Sequence, residues 1–417
     1  MKIYERDSDK TKLYIKTANV IYKDISIDKL LIFDIETTSF EAANGCIFLI
    51  GTAFLSGGRL KVRQFFSEDI TEELLVIKSF LDMAENYEKV LSYKGENFDI
   101  PYISGRIEQI RKNGQIQNNI GPEFSEIFQK IQHLRIKSSD IFSFIKPIKA
   151  PLGFVSTKLN YLRKLMGQEF TEKISGENIC HFYVKFLAEN KINRLKAINC
   201  LSENVGLIPD YEPKTLSDDL AHLYPISNDS FLQDMLSSNQ DNLEAVIYLC
   251  RLGLLFSVQK GDFSCFVNKQ EENGEISSIV FNYDIGCIGK YTLKISLDVK
   301  DASLKLFFSN YRDYFYFPEE DSAVHKSVAS FTSSDSRKKA TPQTAYIKVK
   351  GSFLKIPSSF ITFDKKAAEN RYKENYESPD FYLPVNDLLH FDEDRLKKLS
   401  YYILLDHSKD NLDFIFL

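Results

Sequence analysis

The run "LLIFDIETTSF" at residues 30–40 sets Asp34 and Glu36 two apart inside an apolar stretch. A short apolar run rich in Leu, Ile and Phe reads as a buried strand. Side chains alternate across a strand, so both carboxylates project from one face near its C-terminal end. Two desolvated acids this close repel one another and are costly unless hydrogen-bond donors or a cation offset the charge. Hard carboxylate oxygens suit Mg²⁺ or Mn²⁺. The alternative is a solvated pair at a strand exit, with Thr37 and Thr38 turning the chain.

The flanking sequence frames that strand. After a short polar leader over residues 1–27, strands are expected at 30–36, 46–55 and 59–66, with "SGG" at 56–58 as the turn signal of a meander. A helix over 71–85 with Thr71 as N-cap, a strand at 89–94 and another at 136–142 follow, and a helix is expected where Pro101 suits a first turn. The strongest helical pattern runs from 229 to 256, with Leu243, Val246, Ile247, Cys250 and Leu254 at helical spacing. Strands alternating with helices make this part an α/β layer fold, assigned to 28–256. Beyond it, 262–317 alternates apolar and polar residues, so 257–417 is expected to be a smaller β-rich α+β domain, with "TSSDSRKKATPQT" (332–344) as a loop and a closing helix in "DEDRLKKLSYYILLDH".

A chain of 417 residues has room for two to three domains at about 100–200 residues each. No apolar run approaches a bilayer span, and the N-terminus lacks the apolar centre of a secretory signal, so no membrane association and a cytoplasmic location are expected. The cysteines at 46, 180, 200, 250, 265 and 287 never form a C-x-x-C pair and read as reduced packing residues. With 53 basic and 58 acidic residues the net charge is −5, so any nucleic-acid contact must come from local patches.

A third acid follows in "YKGENFDIPYI", where Asp99 stands at a helix start; an aspartate there is also favoured simply by the helix dipole. A D-x-E strand, a meander, a helix, a strand and then this F-D resemble the YprB-type branch of the ribonuclease-H-like DEDD 3′–5′ exonuclease superfamily. "FDIETT" looks like its first motif, "IFLIGT" and "QFF" like the meander, "SYKGENFDIPYISGR" like the second motif, and "SSDIFSFIKP", "STKLNYLRKLMG" and "ISGENICHFY" like connecting segments, over residues 28 to 256. The resemblance implies a ribonuclease-H-like mixed sheet flanked by helices and a two-metal Mg²⁺ or Mn²⁺ site held by Asp34, Glu36 and Asp99. It implies DNA or RNA as partner, with Thr37, Lys94, Asn97 and Ser238 beside the acids facing substrate, and a structural role for Asp140.

The chain departs from the family pattern in two places. Lys94 stands where the family carries an asparagine. In the third motif, "MLSSNQDNLEAVIYL" (235–249), matching Asn239 and the apolar face from Leu243 puts Asn242 in the place of the fourth acid and Ser238 in that of the general base. A one-residue shift makes these Asp241 and Ser237. One residue turns a helix by about 100°, so Asp241 and Asn242 cannot both face the metals, and the Asn242 register keeps Leu243, Val246 and Ile247 on the packed face. These departures leave two readings: a slow or Mn²⁺-favouring exonuclease, or a catalytically degraded scaffold that binds nucleic acid or protein.

Further candidate contacts are Arg59, Lys61 and Arg63 on one strand face, and Arg337, Lys338 and Lys339 in the polar loop. Alternating cations also serve to protect an edge strand. Tyr311, Tyr314 and Tyr316 are candidate base-stacking rings or core residues, and Asp321 and His325, four apart, would share a helix face.

Overall fold

A computed structural model describes residues 1–21, 25–112, 122–168, 178–189, 228–285 and 291–409. The chain divides into two compact units, one of residues 1–147 with 155–253, the other of 148–154 with the described residues from 254 on. Among the described residues no helix is long and apolar enough to cross a membrane.

The first unit is a mixed α/β layer. Strands β1 (Lys2–Asp7), β2 (Leu30–Thr37), β3 (Ile47–Ser56), β4 (Arg59–Phe66), β5 (Lys89–Ser92) and β6 (Ser138–Asp140) form one sheet in the order β1-β4-β3-β2-β5-β6. β2, β3 and β4 are an antiparallel meander, turned at Gly57 and Gly58, whose positive φ values of 58° and 74° suit a two-residue hairpin loop. β5 runs parallel to β2, and β6 parallel to β5. Helices α1 (Thr11–Ile21), α2 (Glu73–Ala84), α3 (Asp99–Lys112), α4 (Pro122–Lys137), α5 (Phe142–Ile148), α6 (Leu159–Leu165), α7 (Ile179–Glu189) and α8 (Asn228–Leu249) accompany it. One core packs Leu31, Phe33 and Ile35 of β2 against α2, α3 and α4; a second packs Phe48 and Phe66 against α7 and α8.

Three local expectations need correcting. Residues 1–21 are no leader: β1 is the edge strand, paired in register with β4, and α1 buries Tyr14 and Thr17. An edge strand held by ladder hydrogen bonds and ion pairs carries no apolar periodicity to read. Thr71 is not the N-cap of α2, which starts at Glu73: a 3₁₀ turn over Ile70–Glu72 leads into it, capped by Asp69, whose side chain accepts from the Thr71 amide while Glu72 completes a capping box. Of the strand expected at 136–142, Ser138–Asp140 is extended, and residues 136 and 137 close α4.

The second unit is β-rich. β7 (Phe263–Glu272), β8 (Glu275–Ile285), β9 (Tyr291–Phe308), β13 (Tyr346–Ile356), β14 (Asn370–Lys373) and β15 (Phe381–Pro384) make an antiparallel sheet in the order β13-β15-β14-β9-β8-β7, and β13 also pairs with β9. That extra pairing closes β9, β13, β15 and β14 on themselves around Leu304, Phe353 and Tyr382. A separate small sheet holds β10 (Tyr314–Phe317) between β11 (Ser322–His325) and β12 (Lys338–Lys339). Asp321 and His325 therefore share no helix face: they lie in a β10–β11 hairpin, where Asp321 takes a turn φ of 47° and His325 caps the short helix Lys326–Ala329. Tyr314 stacks on Phe308 with ring centroids 4.3 Å apart, and the loop over 332–344 contains β12. The closing helix spans Glu393–Lys409, and Tyr283 donates to its Ser400 carbonyl at 2.9 Å.

Candidate active site

β2 delivers Asp34 and Glu36 to one face, as strand alternation requires. Glu36 is 7% exposed, while Asp34 keeps a partly open side. Asp99 reaches the same place from the first turn of α3, where it is 5% exposed and accepts a 3.1 Å hydrogen bond from the Ile35 amide between the two strand acids. The loop that aims it is shaped by its sequence. Lys94 adopts a positive φ of 66°, its amide donating 2.7 Å to Asp140 Oδ1, and an added Cβ at Gly95 would meet Ser92 Oγ at 2.3 Å. Asp140 also accepts from the Phe142 amide at 2.9 Å, so its carboxylate holds backbone at the end of β6.

α8 closes the cup from the other side with amides. Asn242 Nδ2 donates to Asp34 Oδ2 and to Glu36 Oε1, both at 3.3 Å, and Asn239 Nδ2 donates to Asp34 Oδ2 at 3.1 Å. Asp241 faces elsewhere, in the field of Arg163, Glu244, Arg6 and Lys10, with its carboxyl raised chiefly by burial. One helical position separates the two side chains by about 100°, so α8 brings Asn242, not Asp241, to the strand acids. Ser238 stands one turn before Asn242 and is partly exposed.

Two residues that sequence reasoning missed make this approach possible. Gly51 lies opposite Asp34 in the β2–β3 register, and a Cβ there would sit 1.9 Å from Asn239 Oδ1. Gln64 of β4, 1% exposed, donates to Asn239 Oδ1 at 3.0 Å and to the Leu236 carbonyl at 2.7 Å. Occupying the oxygen of Asn239 fixes its amide so that the nitrogen faces Asp34. Both residues break a local pattern: a glycine inside a strand marks close backbone approach, and Gln64 interrupts the inward series Leu60, Val62, Phe66.

The remaining candidates are placed as follows. Thr37 is bound into the turn after β2, its hydroxyl donating to the Ser39 carbonyl at 2.8 Å. Asn97 is exposed, and its backbone amide donates to the Lys94 carbonyl at 3.0 Å. The Lys94 ammonium lies 5.1 Å from the Phe142 ring centroid and 5.8 Å from that of Tyr93. Arg59, Lys61 and Arg63 are used by β1: Arg59 pairs with Asp7 at 2.9 Å, and Lys61 and Arg63 pair with Glu5 at 2.8 and 2.7 Å. β4 is thus an inner strand whose three cations are each paired with one of two acids on β1. Of the cysteines, Cys46, Cys180, Cys250 and Cys265 form no disulfide among the described residues, and Cys200 and Cys287 lie outside them.

Neutral amides, with the Glu36 carboxyl for Asp34, offset the acids here; among the described residues no lysine or arginine forms an ion pair with Asp34, Glu36 or Asp99. Burial pushes Asp34 up to about 6 against the pull of Asn242 and Asn239. Burial and then the Asp34 charge raise Glu36 and Asp99 well above the carboxylate range. A divalent cation fits this donor set in chemistry: buried hard oxygens without a cationic partner. Among the described residues no three Asp, Glu, His or Cys side chains already surround one point as a metal cage, and the Asn242 nitrogen stands within hydrogen-bond reach of two of the acids. Turning that amide would present an oxygen in place of the N–H₂ group.

The sequence pattern of the RNase_H superfamily matches residues 31–199, a range that contains Asp34, Glu36, Asp99 and Asp140 and ends before α8. A stretch of 118 residues is 31% identical to a DNA polymerase of Pyrococcus glycovorans, covering 26% of this chain and 15% of the polymerase. The family B DNA polymerase of the hyperthermophilic archaeon Pyrobaculum calidifontis aligns over 93% of this chain and 46% of its own at 14% identity, with a TM-score of 0.27. The chain thus spans well under two thirds of either polymerase. The mixed sheet and flanking helices described within 31–199 agree with the ribonuclease-H-like fold that this match indicates.

Proposed function

We propose that the first unit is a divalent-metal-dependent 3′–5′ exonuclease acting on DNA or RNA. The observation that carries this reading is that Asp34, Glu36 and Asp99, delivered by a strand and a helix start, lie within electrostatic reach of one another with no cationic partner among the described residues, inside a ribonuclease-H-like domain. Mg²⁺ or Mn²⁺ held by these acids would neutralise them and acidify a water molecule. The chain's own residues do the positioning: the Ile35 amide orients Asp99, and Gln64 and Asn239 orient Asp34. The resemblance to nucleic-acid enzymes, a DNA polymerase among them, supports the polymer class. The 3′–5′ polarity rests on the resemblance of the motifs.

Asn242 and Ser238 favour a second reading, a scaffold that binds without cutting. An amide supplies no charge where a fourth acid would, and a serine hydroxyl is a poor base at neutral pH. Losing a positioned base costs about 10²–10⁴-fold in rate. The active form of the site is therefore expected to be slow and to prefer Mn²⁺. The test is incubation of the full chain with 5′-labelled single-stranded DNA and RNA in Mn²⁺, Mg²⁺ or EDTA. Stepwise shortening from the 3′ end in Mn²⁺, abolished in Asp99→Asn, supports the nuclease; intact substrate in both metals leaves the scaffold.

A further inference from the structure

The face of β9, β13 and β14 that points away from the Leu304 core carries a lattice of cations. Paired residues on antiparallel strands project to the same side. Register puts Lys305 of β9 directly opposite Lys348 of β13 and Lys373 of β14, a row of three lysines across three strands. The next row sets Arg371, Phe307 and Tyr346 side by side, and Lys350 lies opposite Ser303 in the row before. Neighbouring strands are about 4.8 Å apart and successive rows about 6.8 Å, so like charges crowd within a few ångströms.

Like charges directly opposite on a sheet destabilise it. The chain meets part of that cost internally. Lys348 pairs with Asp321 at 2.7 Å, Lys305 Nζ lies 4.1 Å from the Tyr346 ring centroid, and Lys373 donates to the Tyr376 carbonyl at 2.8 Å. Asp321 is itself anchored by the Tyr316 hydroxyl at 2.6 Å and by the Tyr346 hydroxyl. Lys305, Lys350 and Arg371 find no carboxylate among the described residues, and Lys350 and Arg371 are exposed. At the edge of the lattice, Tyr376 is 39% exposed and packs edge-on against Phe307 at 5.6 Å. Asp301, two rows from Lys305 on the same face, ends the positive run.

We infer that this face of the second unit binds the phosphate backbone of single-stranded nucleic acid. Unpaired cations repeating along a sheet, bordered by an accessible aromatic ring, are the means by which sequence-tolerant single-strand binders hold their polymer. The lattice itself calls for a polyanion; the choice of nucleic acid rests on the nuclease reading of the first unit.

The test is fluorescence anisotropy of the full chain with labelled deoxythymidine and uridine 20-mers in EDTA, where nothing is cut. The triple variant Lys305→Gln, Lys350→Gln, Arg371→Gln is compared with a charge-matched control, Lys269→Gln, Lys365→Gln, Lys398→Gln, after both are shown to melt cooperatively. Three lost phosphate contacts flatten the slope of log K against log salt by about 2 and weaken binding about 100-fold at 0.1 M salt. The control keeps the wild-type slope. An unchanged slope in the triple variant, an equal loss in the control, or equal competition by polyglutamate at matched charge overturns the inference. A wild type that binds through this face yet cuts nothing sinks the exonuclease reading alone.

Discussion

Asn242→Asp asks whether the cup is built for a cation. The new carboxylate would stand where an amide nitrogen now lies 3.3 Å from both Asp34 Oδ2 and Glu36 Oε1. At an effective dielectric constant near 20, one charge at that distance costs about 5 kcal/mol per neighbouring charge. Protonation offers a way out: holding a carboxyl of ordinary pKa neutral at pH 7 costs about 4 kcal/mol, and that caps the penalty. For a unit of this size each kcal/mol moves the melting temperature by about 2–4 °C, so a drop of up to about 8–16 °C is expected in EDTA. A bound divalent cation replaces repulsion by attraction. In saturating Mn²⁺ the variant should recover to wild-type stability or beyond, and its cleavage rate should rise. The assay is thermal melting of wild type and variant with EDTA or Mn²⁺, followed by the 3′-shortening assay. An equal loss of stability with and without Mn²⁺, or no loss in EDTA, refutes the cation-cup argument.

Other perturbations probe the same site. Asp34→Asn should lower Mn²⁺-dependent cleavage by at least about 10²-fold, because metal-borne charge stabilisation is worth several kcal/mol. It should also melt higher than wild type in EDTA at pH 7.5, a trade of stability for function that unchanged melting would contradict. Burial raises the Asp34 carboxyl in the folded protein to about 6, so between the unfolded value and 6 the folded state holds more protons and its stability falls as pH rises. The stability advantage of Asp34→Asn should therefore shrink on acidification from pH 7.5 to 5, and an advantage that grows would show the sign to be wrong. Gln64→Leu leaves Asn239 Oδ1 and the Leu236 carbonyl without their donor, which should destabilise by about 1–3 kcal/mol, read by urea denaturation. Gly51→Ala should be worse than Gln64→Leu in the same titration, since its Cβ would overlap Asn239.

The meander, the parallel strand after it and the D-x-E geometry were legible because period-2 alternation and a glycine turn are local signals. Asn242 was legible through helix phase: Leu243, Val246 and Ile247 fix the buried face, and that face fixes which neighbour points at β2. What escaped was non-local. β1 looks polar because Glu5 and Asp7 answer Arg59, Lys61 and Arg63, a complementarity invisible until the two segments are set side by side. Gln64 left a trace as one polar residue in an inward series, but its partner on α8 lies 175 residues away. Asp321 and His325 misled because four-residue spacing implies one face only on a helix, and a turn at Asp321 makes the segment a hairpin.

The hydrogen bond from Asn242 to Asp34 spans 208 residues of chain, with consequences for biosynthesis. At about 5–20 residues per second, a ribosome releases β2 roughly 10–40 s before α8 exists. Through that interval Asp34 and Glu36 lack the Asn239 and Asn242 donors, so hydration is what keeps them tolerable until α8 arrives. Assembly of the cup thus waits for α8 rather than for the local strands, and a truncated product ending before residue 228 would display the acids without the helix that quiets them.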